Sequence, residues 1–269
     1  MMLDSPCIRV LQASVDPDGD SDFRILVNDS VKYITVDAGL FGLDEMCFGP
    51  SLISLLPPLP PGEWTQARVS RDPVASIARF TVASETTLPG ITSVWHPTRV
   101  NHLDLEFGTK LRSNVYEATS KRFPLKVVAK FARFPWEIPR LQAETEAYRW
   151  IEGHQIGPKF LGHLTEGARV IGFVMACIAD CRPAALEDYK TCRSALMKLH
   201  RLAIKHGDIN KHNFLIRREI AFLVDFENSS QTTETKELEL ELQCLQDSLK
   251  DASHRGGKRV ETAPGAYTQ

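Results

Sequence analysis

The most informative segment of the 269-residue chain reads His206-Gly207-Asp208-Ile209-Asn210-Lys211-His212-Asn213. A short distance further on, the chain continues Phe222-Leu223-Val224-Asp225-Phe226-Glu227. An acid at 208, an amide five positions later at 213 and a second acid twelve positions after that form a spaced set of oxygen-bearing side chains. Oxygen atoms are the ligands that a hard cation such as Mg²⁺ requires. The spacing therefore indicates a site where a carboxylate lies beside a bound cation.

Two short apolar runs explain how Asn213 and Asp225 can meet although they are distant in sequence. Residues 214–216 and 220–224 flank Arg217-Arg218-Glu219, a pattern that predicts a β-hairpin. One side chain precedes the first strand and the other follows the second strand. We therefore expect both side chains at the same end of the hairpin.

Together, these residues resemble the catalytic loop and metal-binding turn of the protein-kinase-like superfamily. Gly207 stands where that family usually has arginine, and Glu227 stands where it usually has glycine. Both departures are similar to the aminoglycoside and choline phosphotransferases, and the His-Gly-Asp form also to minimal atypical kinases of the RIO type. The resemblance implies that Asp208 is the catalytic acid/base and that Asn213 and Asp225 hold Mg²⁺.

The same resemblance implies a phosphate-binding hairpin around residues 108–113. Aligning the strand that starts at Val115 places Gly108, Lys110 and Ser113 on the three glycine positions of the family's loop. Glycines there let backbone amides approach phosphates, so a loop that keeps only the first glycine is expected to hold ATP more loosely. Gly108 and Ser113 are the predicted contacts, and Lys110 or Arg112 is expected to add positive charge.

A lysine and a glutamate complete the resemblance in the small lobe. Val127-Val128-Ala129-Lys130 is similar to the family's strand signature, which implies that Lys130 pairs with the α- and β-phosphates. Glu144 lies on the apolar face of the helix predicted to end near residue 152, so it is the expected partner of Lys130, with Glu146 as the alternative. Met175 and Cys177, in the expected hinge at 174–178, are predicted to contact the adenine of ATP.

The first hundred residues carry strand patterns without recognisable chemistry. Residues 23–27 and 31–36 predict a hairpin, and further strands are expected at 77–82 and 91–95. The run Pro57-Pro58-Leu59-Pro60-Pro61-Gly62 is either a ligand for a protein partner or a stiff connector.

The resemblance implies an α+β, bilobal protein-kinase-like fold, and the strand patterns of the first hundred residues predict an added N-terminal β-rich layer. We expect an N-terminal extension at 1–102, a minimal kinase-like domain at 103–254 and a disordered tail at 255–269. The small lobe would occupy 103–176. The large lobe, at 177–254, would be shortened and carry helices at 184–205 and 236–252.

The composition of the chain limits the classes of partner and the cellular location that we expect. A formal net charge of −2, with basic residues clustered only in pairs, argues against a nucleic acid partner. Neither a secretory signal nor an apolar run long enough to span a membrane is evident, so we expect no membrane partner and an intracellular protein, cytoplasmic or nuclear. Six scattered cysteines favour reduced thiols.

The leading functional hypothesis is an ATP- and Mg²⁺-dependent phosphotransferase acting on a hydroxyl acceptor, with a protein serine or threonine slightly favoured. A small-molecule kinase and a pseudokinase scaffold that binds a protein partner through the N-terminal layer or the proline run are the alternatives. A metal hydrolase built from His200, His206, Asp208 and His212 is a further possibility, although these residues straddle a predicted helix end.

Overall fold

A computed structural model describes residues 6–251 of the chain. Within these residues the chain forms two compact units, one comprising residues 6–89 with Arg133–Pro135, the other comprising Gly90–Ala132 and residues 136–251. The second unit begins ahead of the boundary expected at residue 103, because a strand at Arg99–Asn101 belongs to its sheet. The tail at 255–269 lies outside the described residues.

The first unit contains one five-stranded sheet in the order β1-β2-β3-β4-β5. Its elements are β1 Ile8–Ser14, β2 Ser21–Val27, β3 Ser30–Val36, α1 Leu43–Cys47, α2 Gly49–Leu55, β4 Gln66–Arg71 and β5 Ala78–Ser84. Strands β2 and β3 form the predicted hairpin, which is confirmed, and β3 and β4 run parallel because the two helices connect them. Phe23, Ile25 and Leu52 are among the buried side chains of its core. The proline run follows α2 without regular structure.

The small lobe of the second unit is a six-stranded sheet in the order β6-β10-β11-β9-β8-β7, with one helix. Its elements are β6 Arg99–Asn101, β7 Glu106–Arg112, β8 Val115–Ser120, β9 Phe123–Phe131, α3 Ile138–Trp150, β10 Phe160–Glu166 and β11 Arg169–Ala176. The prediction of a strand at residues 91–95 is wrong. The backbone N–H of Trp95 donates to the imidazole of His163 instead of to a neighbouring strand.

The large lobe is short and built mainly from two helices and a hairpin. Its elements are β12 Arg182–Pro183, α4 Tyr189–His200, β13 Ile204–Lys205, β14 Phe214–Arg217, β15 Ile220–Leu223, β16 Ser230–Gln231 and α5 Thr235–Lys250. The helix expected at 184–205 is shorter at both ends. The backbone N–H of Ala184 donates to the carbonyls of Lys211 and Phe214, and Ala203 has a positive φ of 58°, which no α-helix accommodates.

One hydrophobic core runs through both lobes of the second unit. It includes Tyr148 of α3, Phe160 and Phe173 of the sheet, Leu199 of α4 and Leu245 of α5. Because the lobes share this core, residues at their junction are held by packing from both sides. The predicted α+β fold, with a β-rich small lobe, a reduced helical large lobe and an extra β-rich N-terminal part, is confirmed. None of the described helices is long and apolar enough to cross a membrane.

Candidate active site

Residues 206–213 form a loop between β13 and β14, and a glycine is required within it. Gly207 has a φ of +81°, and a Cβ at this position would lie 2.3 Å from the backbone carbonyl oxygen of Asn228. An arginine, which kinases usually carry here, therefore cannot be accommodated without moving the backbone. The departure from the family pattern at 207 thus has a local steric cause.

The carboxylate of Asp208 is held by two amides of the same loop. The Nδ2 of Asn210 donates to Oδ2 of Asp208 at 3.0 Å, and the Nδ2 of Asn213 donates to the same oxygen at 3.2 Å. Asn213 Nδ2 also donates to the backbone carbonyl of Asp208 at 2.9 Å. These contacts orient Asp208 and leave the Oδ1 of Asn213 directed away from it.

The β14–β15 hairpin brings Asn213 and Asp225 together as predicted. Phe214 pairs with Leu223, and the backbone N–H of Val224 donates to the carbonyl of Asn213 at 3.0 Å. Asp225 follows with φ +68° and ψ +60°, a left-handed conformation that few non-glycine residues adopt. Such a conformation persists only where surrounding contacts enforce it, and it is frequent at functional sites.

Lys130, Glu144 and Asp225 form a buried charged cluster. The Nζ of Lys130 lies 2.5 Å from Oε2 of Glu144 and 2.5 Å from Oδ1 of Asp225. Glu146, the alternative partner, instead accepts a hydrogen bond from Gln142. The cluster joins β9, α3 and the turn after β15, so it connects the small lobe to the large lobe.

Burial and ion pairing act in opposite directions on these three groups. Burial alone would lower the pKa of Lys130, but Glu144 and Asp225 reverse this and hold the pKa above its ordinary value. Burial raises the pKa of Glu144 to about 7, although Lys130 opposes the shift. Burial would also raise the pKa of Asp225, yet Lys130 and Arg112 hold it below its ordinary value. Asp225 is therefore a carboxylate and Lys130 an ammonium at neutral pH.

Arg112, the last residue of β7, reaches across to the metal ligands that the resemblance implies. Its Nη1 donates to Oδ2 of Asp225, and its Nη2 donates to Oδ1 of Asn213 at 3.1 Å and to the backbone carbonyl of His212 at 3.1 Å. One guanidinium thus bridges an oxygen of Asn213 and an oxygen of Asp225. Both oxygens thus lie within hydrogen-bonding distance of one guanidinium, and the two side chains that carry them would hold a cation.

The donor set fits Mg²⁺. A carboxylate and an amide oxygen are hard ligands, and this ion commonly uses one or two protein ligands together with water and substrate phosphates. Within residues 6–251, no group of three or more His, Cys, Asp or Glu side chains is arranged to hold a metal. His200 and His206 have other partners, since His200 Nε2 lies 2.8 Å from Oε2 of Glu241 and His206 Nε2 lies 3.1 Å from the carbonyl of Val224. The histidines of the hypothetical hydrolase site therefore do not share a metal site in the described part of the chain.

Glu241 of α5 is a functional candidate that the sequence did not reveal. Its carboxylate accepts hydrogen bonds from the backbone N–H of His206 at 3.0 Å and of Gly207 at 2.7 Å. Burial would raise its pKa, but hydrogen bonds from His200, Gly207 and His206 hold it below its ordinary value. The sequence feature that could have indicated this role is an acidic residue among the leucines of the apolar stripe of this helix.

The remaining predicted residues lie on the surrounding elements. Gly108 lies within β7 and Ser113 in the turn after it, while Met175 lies near the end of β11 and Cys177 just beyond it. Met175 is buried, and its sulfur accepts a hydrogen bond from the hydroxyl of Tyr148 at 3.2 Å. Contacts of these four residues with ATP stay a prediction.

A comparison with known protein families gives a match in the C-terminal part of the chain. Residues 187–262 match the model of the Lipopolysaccharide kinase (Kdo/WaaP) family. The matched segment contains Asp208, Asn213 and Asp225 but not Lys130 or Glu144, which join the site only in three dimensions. The match confirms the resemblance to the protein-kinase-like superfamily.

Among solved structures, the chain is similar to the Cydia pomonella granulovirus kinase PK-1. The two are 18% identical with a TM-score of 0.37, and the alignment covers 49% of this chain and 54% of the viral kinase. The chain therefore spans about half the length of that kinase. The comparison with curated proteins found no match to this chain.

Proposed function

We propose that the chain is an ATP- and Mg²⁺-dependent phosphotransferase that transfers the γ-phosphate to a hydroxyl acceptor. The observation that carries the proposal is the connected network of Lys130, Asp225, Asn213 and Asp208. Arg112 links Asp225 to Asn213, and Asn213 links that pair to Asp208. A scaffold needs no such network, so its presence favours catalysis over a pseudokinase.

Each side chain has a role that its surroundings support. Asp208, held by Asn210 and Asn213, would orient the acceptor hydroxyl and accept its proton. Lys130, held by Glu144, would bind nucleotide phosphates through its ammonium group. Asn213 and Asp225 would hold Mg²⁺, which when bound neutralises phosphate charge. Gly108, Ser113, Met175 and Cys177 would line the nucleotide site.

Two acceptor classes are supported by different observations. The short large lobe resembles minimal atypical protein kinases, which favours a protein serine or threonine. The match to the Lipopolysaccharide kinase (Kdo/WaaP) family, together with Gly207 and Glu227, favours a sugar or other small-molecule hydroxyl as the second candidate. Incubation with labelled ATP and a panel of proteins, sugars and amino alcohols would distinguish the two classes.

The catalytic proposal is tested by replacing Asp208 with asparagine. We expect Mg²⁺-dependent ATP turnover to fall by about 10²- to 10⁴-fold, the usual contribution of a general base. Nucleotide affinity should change little, because Asp208 acts on the acceptor and not on ATP.

A matched control is Asp247→Asn, which removes an exposed carboxylate from α5. Its turnover should equal that of the wild-type protein. Equal turnover in Asp208→Asn and the wild type would contradict the role of Asp208. No turnover in either, together with retained partner binding, would support a scaffold instead.

A further inference from the structure

Arg112 contacts the oxygens that would bind a metal ion. Asp225 has two carboxylate oxygens, of which one contacts Lys130 and the other contacts Arg112. Asn213 has a single side-chain oxygen, and it also accepts from Arg112. A divalent cation and the guanidinium cannot occupy the same position, since both require direct contact with these oxygens.

We propose that Arg112 is a built-in competitor of the divalent cation, so that the site binds free metal weakly and takes up metal together with nucleotide. The charge-assisted, two-point contact of a guanidinium with Asp225 and Asn213 must be broken before metal enters. The nucleotide supplies the alternative partner, because phosphate oxygens bind guanidinium groups well. This second step rests on the proposed function.

The position of Arg112 suits an exchange of this kind. It is the last residue of β7, next to the turn at Ser113–Asn114, and the pairing of β7 with β8 is irregular between Phe107 and Lys110 and between Lys110 and Arg112. Its side chain is 29% exposed, so it can leave the oxygens without unpacking the core. The hairpin that in related kinases uses glycines around the phosphates would here use a positive side chain.

The competition is measured with Mn²⁺ as the probe, by electron paramagnetic resonance on the full chain without nucleotide. We expect Arg112→Gln to bind Mn²⁺ at least about tenfold more tightly than the wild type, because the competing cation is gone. Lys121→Gln is the matched control, since it removes a positive charge at an exposed position in the turn between β8 and β9. Its affinity should stay within about twofold of wild type.

Arg112→Lys provides a second variant in case Arg112→Gln does not fold. Lysine keeps the charge but cannot bridge two oxygens with a planar fork, so Mn²⁺ affinity should rise severalfold. Asp225→Asn in the Arg112→Gln background should remove the gain. Equal Mn²⁺ affinity in Arg112→Gln, Arg112→Lys and wild type would overturn the inference.

The exchange is tested by repeating the titration with a non-hydrolysable ATP analogue. The Mn²⁺ affinities of the wild type and Arg112→Gln should then differ by no more than about threefold, because the nucleotide phosphates bind the guanidinium of Arg112. A difference that stays at about tenfold would overturn the exchange. Loss of the proposed function, seen as absent turnover in the Asp208 experiment, leaves the nucleotide-free Mn²⁺ ratio unchanged, so the two failures are distinguishable.

Discussion

The buried charged side chains of this site compensate one another's charge. Lys130 lies between two carboxylates and Asp225 lies between two cations, all at hydrogen-bonding distance. Removing one member leaves an uncompensated charge in a buried position, which costs more than the contact itself contributes. Substitutions here would therefore report on stability as well as on function, and Arg112→Lys, which keeps the positive charge, limits the effect on stability.

His163 is a buried residue whose protonation state affects the stability of the fold. Its Nε2 accepts hydrogen bonds from the backbone N–H of Trp95 and of His96, both at 3.1 Å. Burial lowers the pKa of His163 to about 4, and the nearby His96 and Arg99 add to the shift. A proton on Nε2 would face two donors, so the neutral ring is required by the fold.

The pH dependence of stability should therefore include a contribution from His163. A histidine whose pKa is lower in the folded state contributes stability that is present above pH 6.5 and is lost as the pH falls towards 4. In His163→Gln, we expect the free energy of unfolding to fall by up to about 3 kcal/mol less between pH 6.5 and 4 than in the wild type. The reason is that the glutamine carbonyl can accept the same two hydrogen bonds without titrating. Urea unfolding at a series of pH values measures the effect.

The control for this prediction is His154→Gln, at an exposed histidine. It should follow the wild-type curve. An unchanged slope between pH 6.5 and 4 in His163→Gln would contradict the assignment of the loss to this side chain.

At the scale of elements, the segment from His206 to Phe226 is held from two sides by α3 and α5. Phe226, directly after Asp225, packs edge-on against Tyr148 of α3 with ring centroids 5.3 Å apart. On the other side, Glu241 of α5 binds the backbone of His206 and Gly207. The two helices thus fix opposite ends of the segment that carries Asp208, Asn213 and Asp225.

Replacement of Glu241 tests the contribution of α5. Glu241→Ala leaves two buried backbone N–H groups without their acceptor, so we expect a loss of about 2–4 kcal/mol in the free energy of unfolding. Turnover should also fall, because the loop loses its support. Glu241→Gln keeps one oxygen acceptor and should cost less. Equilibrium urea unfolding, together with turnover at saturating ATP, measures both effects.

Glu239→Gln is the appropriate comparison, since Glu239 is exposed on the same helix. It should change stability by less than about 0.5 kcal/mol. Similar losses in Glu239→Gln and Glu241→Ala would show that the effect comes from helix charge and not from the contact with the loop.

At the scale of the whole molecule, the chain has separate hydrophobic cores. The first unit has its own cluster around Ile25, Ile34 and Val69, whereas the second unit has the core that joins its lobes. A cavity in one core should therefore act first on the unit that contains it.

Ile25→Ala is expected to destabilise the first unit by about 2–5 kcal/mol, the usual cost of such a truncation at a fully buried site. Hydrogen exchange measured by mass spectrometry should show lost protection in β1 to β5 and little change in β9 to β11. Leu196→Ala, in the core of the second unit, should give the opposite pattern. Equal losses in both units after either change would contradict two separate cores.

Much of the site was predictable because its signals are local. The loop at 206–213 and the hairpin that follows it are contiguous in sequence, and the hairpin register alone brings Asn213 to Asp225. Lys130 was predictable because its strand resembles the family's signature. Other predictions failed where long-range contacts override local preference. Residues 91–95 have a strand-like composition, yet the backbone of Trp95 binds the side chain of His163.

The sequence by itself determined that Asn213 and Asp225 meet, since both flank one hairpin, and its resemblance to the protein-kinase-like superfamily implied the fold class. Only the tertiary structure decided which cations contact Asp225, that Glu241 holds the loop, and that position 207 has room for glycine alone. Each of these depends on contacts between segments far apart in the chain: Arg112 with Asp225, Glu241 with His206, and Gly207 with the backbone of Asn228. Such contacts are set by the packing of whole elements, which no local pattern of residues specifies.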